Sequence, residues 1–128
     1  MRAAIYLRLS KEDKQESIEN QRALLRKYAN DHGFSVVKEY TDEAISGLTD
    51  TRPGFAKMMD DARQGHFDVI LAKNQSRFSR NFLHIEQYLH RELPHLNIRF
   101  IGVTDGVDTG KNNNIAVRRS GKKTRQIY

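Results

Sequence analysis

The sequence predicts an α/β domain built on a mainly parallel sheet, and three observations carry that expectation. Four apolar runs, "AAIYL", "FSVVKEY", "FDVILAK" and "IRFIGV", recur along the chain. They are close to continuous, as suits strands covered on both faces, whereas half-exposed strands alternate. Between them lie segments whose apolar residues follow helical spacing. Strand–helix alternation of this kind implies right-handed crossovers.

Taken in order, Ala3 to Leu7 forms the first strand. "SIENQRALLRKYANDHG" reads as a helix that Ser17 can cap and Gly33 can end, with Ile18, Gln21, Leu24 or Leu25, and Tyr28 at helical intervals. A second strand, "FSVVKEY", leads into "TDEAISGLTDTRPG", a long polar connection with turn chemistry at Ser46-Gly47 and Pro53-Gly54. Phe55, Met58, Met59 and Ala62 mark a second helix closed by Gly65. After the third strand and a loop, "NQSRFSRN", Phe82, Ile85, Leu89 and Leu93 mark a third helix, expected to end before Pro94. The fourth strand follows, and "TDGVDTGKNNN" beyond Thr104 reads as loop. A flavodoxin-like strand order of 2-1-3-4, with helices on both faces, is the topology expected. No internal repeat is visible.

Composition narrows the function classes. The 128 residues hold no cysteine, which excludes a disulfide framework and a thiolate zinc site. No apolar run approaches the roughly 20 residues of a membrane helix, and "MRAAIYLRLS" turns polar too soon for a signal peptide. A cytoplasmic protein with no membrane partner is expected. The formal charge is +6, yet residues 1–110 carry 16 Lys+Arg against all 16 Asp+Glu. The excess sits in residues 111–128, as Lys111, Arg118, Arg119, Lys122, Lys123 and Arg125. The chain therefore divides into a neutral body, 1–110, and a basic segment, 111–128. Any anion site in the body must be a local cluster.

Parallel α/β sheets bind ligands beyond the carboxyl ends of their strands, where strand order reverses. In a 2-1-3-4 sheet that crevice lies between the first and third strands. Its lip would carry Arg8 and Ser10 from "YLRLS", which share a side at i, i+2, and Lys73, Arg77 and Arg80 from "KNQSRFSR". One hydroxyl ringed by guanidiniums, with no carboxylate at these positions, suits phosphoryl chemistry. Guanidinium forks match phosphate oxygens in pairs and stay charged. Any one of these residues alone would read as a turn serine or a solvated arginine.

Competing motifs carry less. "GVDTGKN" is one residue short of a phosphate loop, lacks its Ser/Thr and follows the last strand. The five histidines show no metal spacing, and Asp42 and Asp68 are expected to order loops. Met58 and Met59 read as core. No metal and no cofactor are called for.

At these residues the chain resembles the serine recombinases, the resolvase/invertase superfamily, and within it the catalytic domain of the large integrase or transposase type. The resemblance runs from Met1 to about Asp108. It rests on "YLRLS", "SIENQ", "DEAISGLTDTRPGF", "GHFDVILAK" and "SRFSR" in order. It implies that Ser10 attacks a DNA phosphodiester, giving a 5′-phosphoseryl link and a free 3′ hydroxyl. Arg8, Arg77 and Arg80 would surround that phosphate, Arg52 would join from its loop, and Gln21 and Lys73 would support them. Bond energy is kept in the phosphoserine, so the resemblance implies neither metal nor nucleotide. It also implies DNA as partner, with self-association into dimers and tetramers on DNA.

Ser76 stands before Arg77 where small resolvases usually carry an acid, which favours the large-recombinase branch. The basic segment, with Arg118, Arg119, Lys122 and Lys123 as candidate DNA contacts, leads toward the family's assembly helix. No helix-turn-helix or zinc-ribbon pattern is seen, so an isolated catalytic domain, itself inactive in full recombination, is expected. The alternative is a non-catalytic DNA-tethering or partner-binding module on the same fold, against which an intact Ser10 argues. A flavodoxin-like phosphate-binding regulator, taking a nucleotide or flavin, is a third reading.

Overall fold

The computed structural model describes residues 1–9, 17–43, 52–78 and 82–110. Five strands form one sheet in the order β2-β1-β3-β4-β5. They are β1 (Arg2–Leu9), β2 (Ser35–Glu43), β3 (Val69–Ala72), β4 (Arg99–Gly102) and β5 (Val107–Asp108). The first four run parallel, in the 2-1-3-4 order expected, and β5 pairs antiparallel with β4. The stretch beyond Thr104 is thus not wholly loop. A bidentate pair from Arg99 to Asp108, 2.8 and 2.7 Å, draws two residues back against the sheet.

Helix α1 (Ile18–Asp31) covers one face. Leu25 and Ala29 pack there on Ala3, Ile5, Leu7, Val69, Leu71 and Ile101. Helix α2 (Pro53–Arg63) and the last helical run cover the other, burying Phe55, Met58, Met59, Ile85, Leu89 and Leu93 against Ala4, Tyr6, Ile70 and Phe100. A short turn of helix, α3 (Gln75–Phe78), follows β3 where a loop was expected.

Strand β2 departs from its expected form in two ways that matter for the site. It continues through Thr41, Asp42 and Glu43, which pair with Leu7, Arg8 and Leu9, although these residues read as connection. It also carries an extra residue. Ala3 pairs with Val36 but Ala4 pairs with Lys38, leaving Val37 as a bulge. Val36 therefore packs with Ala3 on the α1 face, while Tyr40 lies with Tyr6 on the α2 face. With strict two-residue alternation these β2 residues would share one face.

The third helix also differs. It begins as α4 (Phe82–His84), widens into a π-helix over Ile85–Glu92 and closes as α5 (Leu93–His95), so Pro94 lies inside it. Leu93 N–H donates to Tyr88 O, five residues back. The wider turn leaves room for a proline ring that an α-turn would press against the carbonyl four residues earlier. Asn97, at φ 61°, makes the actual stop. Ile98 N–H donates to Leu93 O at 2.8 Å and Asn97 N–H to Pro94 O at 3.0 Å, a Schellman motif with asparagine in the left-handed position. Gly33 and Gly65, both at φ 76°, end α1 and α2 in the same way.

Candidate active site

The site is built from the carboxyl end of β1 outward. β3 ends at Ala72, opposite Tyr6, so it offers Arg8 no strand partner. Gln21, fully buried on α1, takes over: its Nε2 donates to Arg8 O at 2.8 Å, and its Oε1 accepts from Arg8 N–H at 3.2 Å. A side-chain amide carries a donor and an acceptor side by side, so it can serve both the N–H and the C=O of one residue. Arg77 Nη1 donates to the same Arg8 carbonyl at 3.4 Å. Three of the expected residues, Arg8, Gln21 and Arg77, therefore meet at the backbone of one residue, two positions before Ser10.

Arg77 is buried at the C-terminal part of α3, and that turn is tied down at its start. Asn74 Oδ1 accepts from Arg77 N–H at 3.0 Å and from Ser76 Oγ at 2.8 Å. Asp105 accepts from Gln75 N–H at 2.8 Å. The approach of Asp105 requires Gly102, because a Cβ there would strike the Asp105 carboxylate and stand 3.3 Å from Gln75 N. Lys73, half-buried, opens the segment, with its carbonyl held by Thr104 N–H and Oγ1 at 2.8 and 2.9 Å.

Arg52 occupies the N-cap position of α2 and lies half-buried beside this group. Its guanidinium sits 4.0 Å from the centroid of the Phe55 ring. Its Nη1 donates to Phe78 O and stands 3.4 Å from the Tyr6 hydroxyl. Phe55 in turn packs edge-on against Tyr6, Phe78 and Tyr88, so Arg52 rests on an aromatic cluster shared by β1, α2, α3 and the π-helix. Tyr6 is fully buried and donates to Asp42 Oδ2 at 2.7 Å. Burial pushes its phenol well above the ordinary value, with Arg52 pulling the other way. Tyr6 is thus held neutral and away from solvent.

Most arginines elsewhere in the domain are paired; exposed Arg91 is an exception, with no carboxylate partner among the described residues. Arg2, Arg22, Arg26, Arg63 and Arg99 each pair with a carboxylate. Arg8 and Arg52 have no carboxylate partner among the described residues. Arg8 Nη1 is buried and has no hydrogen-bond partner among them. A buried cationic donor left without an acceptor is costly unless an anion completes it.

Ser10, Arg80, Arg118, Arg119, Lys122 and Lys123 lie outside the described residues, as does the Arg52 connection up to Thr51. Asp42, Asp105 and Gly102 escaped assignment to the site. Asp42 carried one usable signal: α2 opens "RPGF", without a Ser, Thr, Asn or Asp at its cap, so a cap had to come from elsewhere. Nothing local marked Asp105, whose partner is 30 residues away.

Residues 3–120 match the family model described as "Resolvase, N terminal domain". The chain belongs to that family. Among solved structures, this resolvase-family domain is similar to the N-terminal catalytic domain of TP901-1 integrase. Identity is 30% and the TM-score 0.71, covering 86% of this chain and 82% of that one. It is similar to a resolvase family site-specific recombinase from Streptococcus pneumoniae at 27% identity and TM-score 0.78, covering 90% and 80%. The C-terminal catalytic domain of ISC1926 TnpA, an IS607-like serine recombinase, matches at 30% identity and TM-score 0.66, covering 78% and 68%. Fold and family are those of serine recombinase catalytic domains.

Proposed function

We propose that this domain cuts and rejoins DNA through a covalent link between Ser10 and a 5′ phosphate. In that step the Ser10 oxygen attacks phosphorus and the bond to the 3′ oxygen breaks. The serine gives up its proton and the leaving 3′ oxygen takes one. Rejoining is the reverse attack by a 3′ hydroxyl. Arg8, Arg77, Arg80 and Arg52 bind the non-bridging oxygens, where charge develops. Gln21 fixes the peptide from which Ser10 follows, and Lys73 adds positive charge at the rim. Residues 1–110 make up the catalytic unit.

The observation that carries this reading is the buried Nη1 of Arg8, which has no hydrogen-bond partner among the described residues and belongs to the residue two positions before the serine. The family and its recombinase neighbours support the same chemistry. DNA is the substrate, and synapsis of two sites requires self-association. Arg118, Arg119, Lys122 and Lys123 contact phosphates without reading bases. No helix among the described residues is long and apolar enough to cross a membrane.

The test is strand cleavage on a nicked recombination site by this protein. Ser10→Ala abolishes cleavage, and Arg8→Lys lowers it by about 10²–10³-fold, since a lysine lacks the fork. Cleavage unaffected by both substitutions would overturn the reading.

A further inference from the structure

Helix α2 begins at Pro53 without a cap of its own: Arg52 fills the N-cap position and makes no side-chain capping bond. The orphan N–H groups are met from another element. Asp42, near the end of β2 and 6% exposed, accepts from Gly54 N–H through Oδ1 and from Phe55 N–H through Oδ2, both at 2.8 Å. The approach is close enough that a Cβ on Gly54 would stand 2.7 Å from Thr41 O. The same carboxylate accepts the Tyr6 hydroxyl. The two peptides it holds lie immediately after Arg52 and Pro53, and one belongs to Phe55, the ring on which the Arg52 guanidinium rests.

Asp42 reaches this place only because of the extra residue at Val37. The bulge shifts the alternation of β2, so that Tyr40 and Asp42 share the face of Tyr6, where α2 packs. Without it Asp42 would point toward α1, and α2 would start uncapped. We infer that Asp42 is a positioning residue for Arg52, placed by the Val37 bulge and acting through the borrowed cap of α2. The functional meaning of this rests on the proposed role of Arg52 at the phosphate; the holding itself does not.

The experiment reads Arg52 directly in the 128-residue chain, by ¹⁵N relaxation of the arginine Nε groups. Arg99, locked on Asp108, serves as the internal control. Asp42→Asn keeps an acceptor for one N–H but turns a donor toward the other. The expected result is a selective loss of order at Arg52 with Arg99 unchanged. Tyr6→Phe leaves both helix bonds in place and should leave Arg52 ordered. Unchanged Arg52 order in Asp42→Asn overturns the inference. Should Asp42→Asn fail to fold, Tyr6→Phe decides alone: loss of Arg52 order there assigns the holding to the phenol and also overturns it. In cleavage, Asp42→Asn should cost no more in an Arg52→Ala background, whereas additive losses would give Asp42 a role independent of Arg52. A protein that cuts no DNA refutes the proposed function and leaves the relaxation result standing.

Discussion

Replacing Gln21 by leucine tests how the end of β1 is held. The two side chains are similar in volume, so the cavity contribution is small. What is lost is one acceptor for Arg8 N–H and one donor to Arg8 O, both in a site from which Gln21 excludes water. Each buried backbone group left unsatisfied costs about 1–3 kcal/mol. Arg77 Nη1, 3.4 Å from the same carbonyl, covers part of the second loss. The expected destabilisation is therefore about 2–4 kcal/mol, a large share of the roughly 5–15 kcal/mol that holds a domain together. In a domain of this size that lowers Tm by roughly 10–25 °C. Urea unfolding followed by circular dichroism reads it, with an unchanged m-value as the check on two-state behaviour. Gln21→Glu keeps the acceptor but, when ionised, sets a buried carboxylate oxygen against the Arg8 carbonyl, so it should also destabilise, and less at low pH where the protonated carboxyl regains a donor. Stability of Gln21→Leu within about 0.5 kcal/mol of wild type would refute the clamp, because the Arg8 peptide must then be satisfied elsewhere.

Three further outcomes are expected. Burial and carboxylate partners raise the phenols of Tyr6 and Tyr40 in the folded state. The stability they add is intact below about pH 10, the unfolded value, and falls as pH rises above it. In an alkaline titration two of the five tyrosines should thus ionise only with unfolding; five equivalent phenolates would contradict this. Gly102→Ala drives Asp105 off Gln75 N–H and loosens the turn that carries Arg77, costing about 1–2 kcal/mol and slowing cleavage; a neutral result in both would remove Asp105 from the account. Finally, the 128-residue chain should bind DNA weakly, without sequence preference, and with steep salt dependence that disappears when residues beyond Thr109 are removed. Tight, salt-resistant binding to one sequence would contradict it.

The alternation of apolar runs and amphipathic segments was enough to specify a parallel sheet covered on both faces, because continuous apolar strands imply covered faces and crossovers; the 2-1-3-4 order was chosen among the topologies that alternation allows, and the structure has it. Features set by a single residue were harder to read. The bulge at Val37 looks like one more strand valine, since both valines suit a pleated strand and only the pairing with Ala3 and Ala4 reveals the extra residue. Pro94 gave a false stop because the π-turn before it is invisible in apolar spacing, while Asn97, the true stop, lacked the glycine that marked Gly33 and Gly65. At the site, Arg8 and Arg77 were singled out from the strand and loop that carry them, whereas Arg52 and Gln21 entered only through the family resemblance; the structure brings Arg8, Gln21 and Arg77 together at one backbone position. Asp42 was legible only as a residue that orders a loop. Its actual partners, Tyr6, Gly54 and Phe55, come from two other elements, and tertiary pairing of that kind leaves no local pattern.

The central claim, that Ser10 forms the covalent bond to DNA, is tested most directly by trapping the protein on a nicked site and mapping the modified peptide by mass spectrometry. The account predicts a peptide spanning Arg8 to Ser10 that carries the 5′ phosphate on the Ser10 oxygen, and no adduct from Ser10→Ala. A phosphate mapped to any other side chain, or an adduct that survives Ser10→Ala, would contradict it.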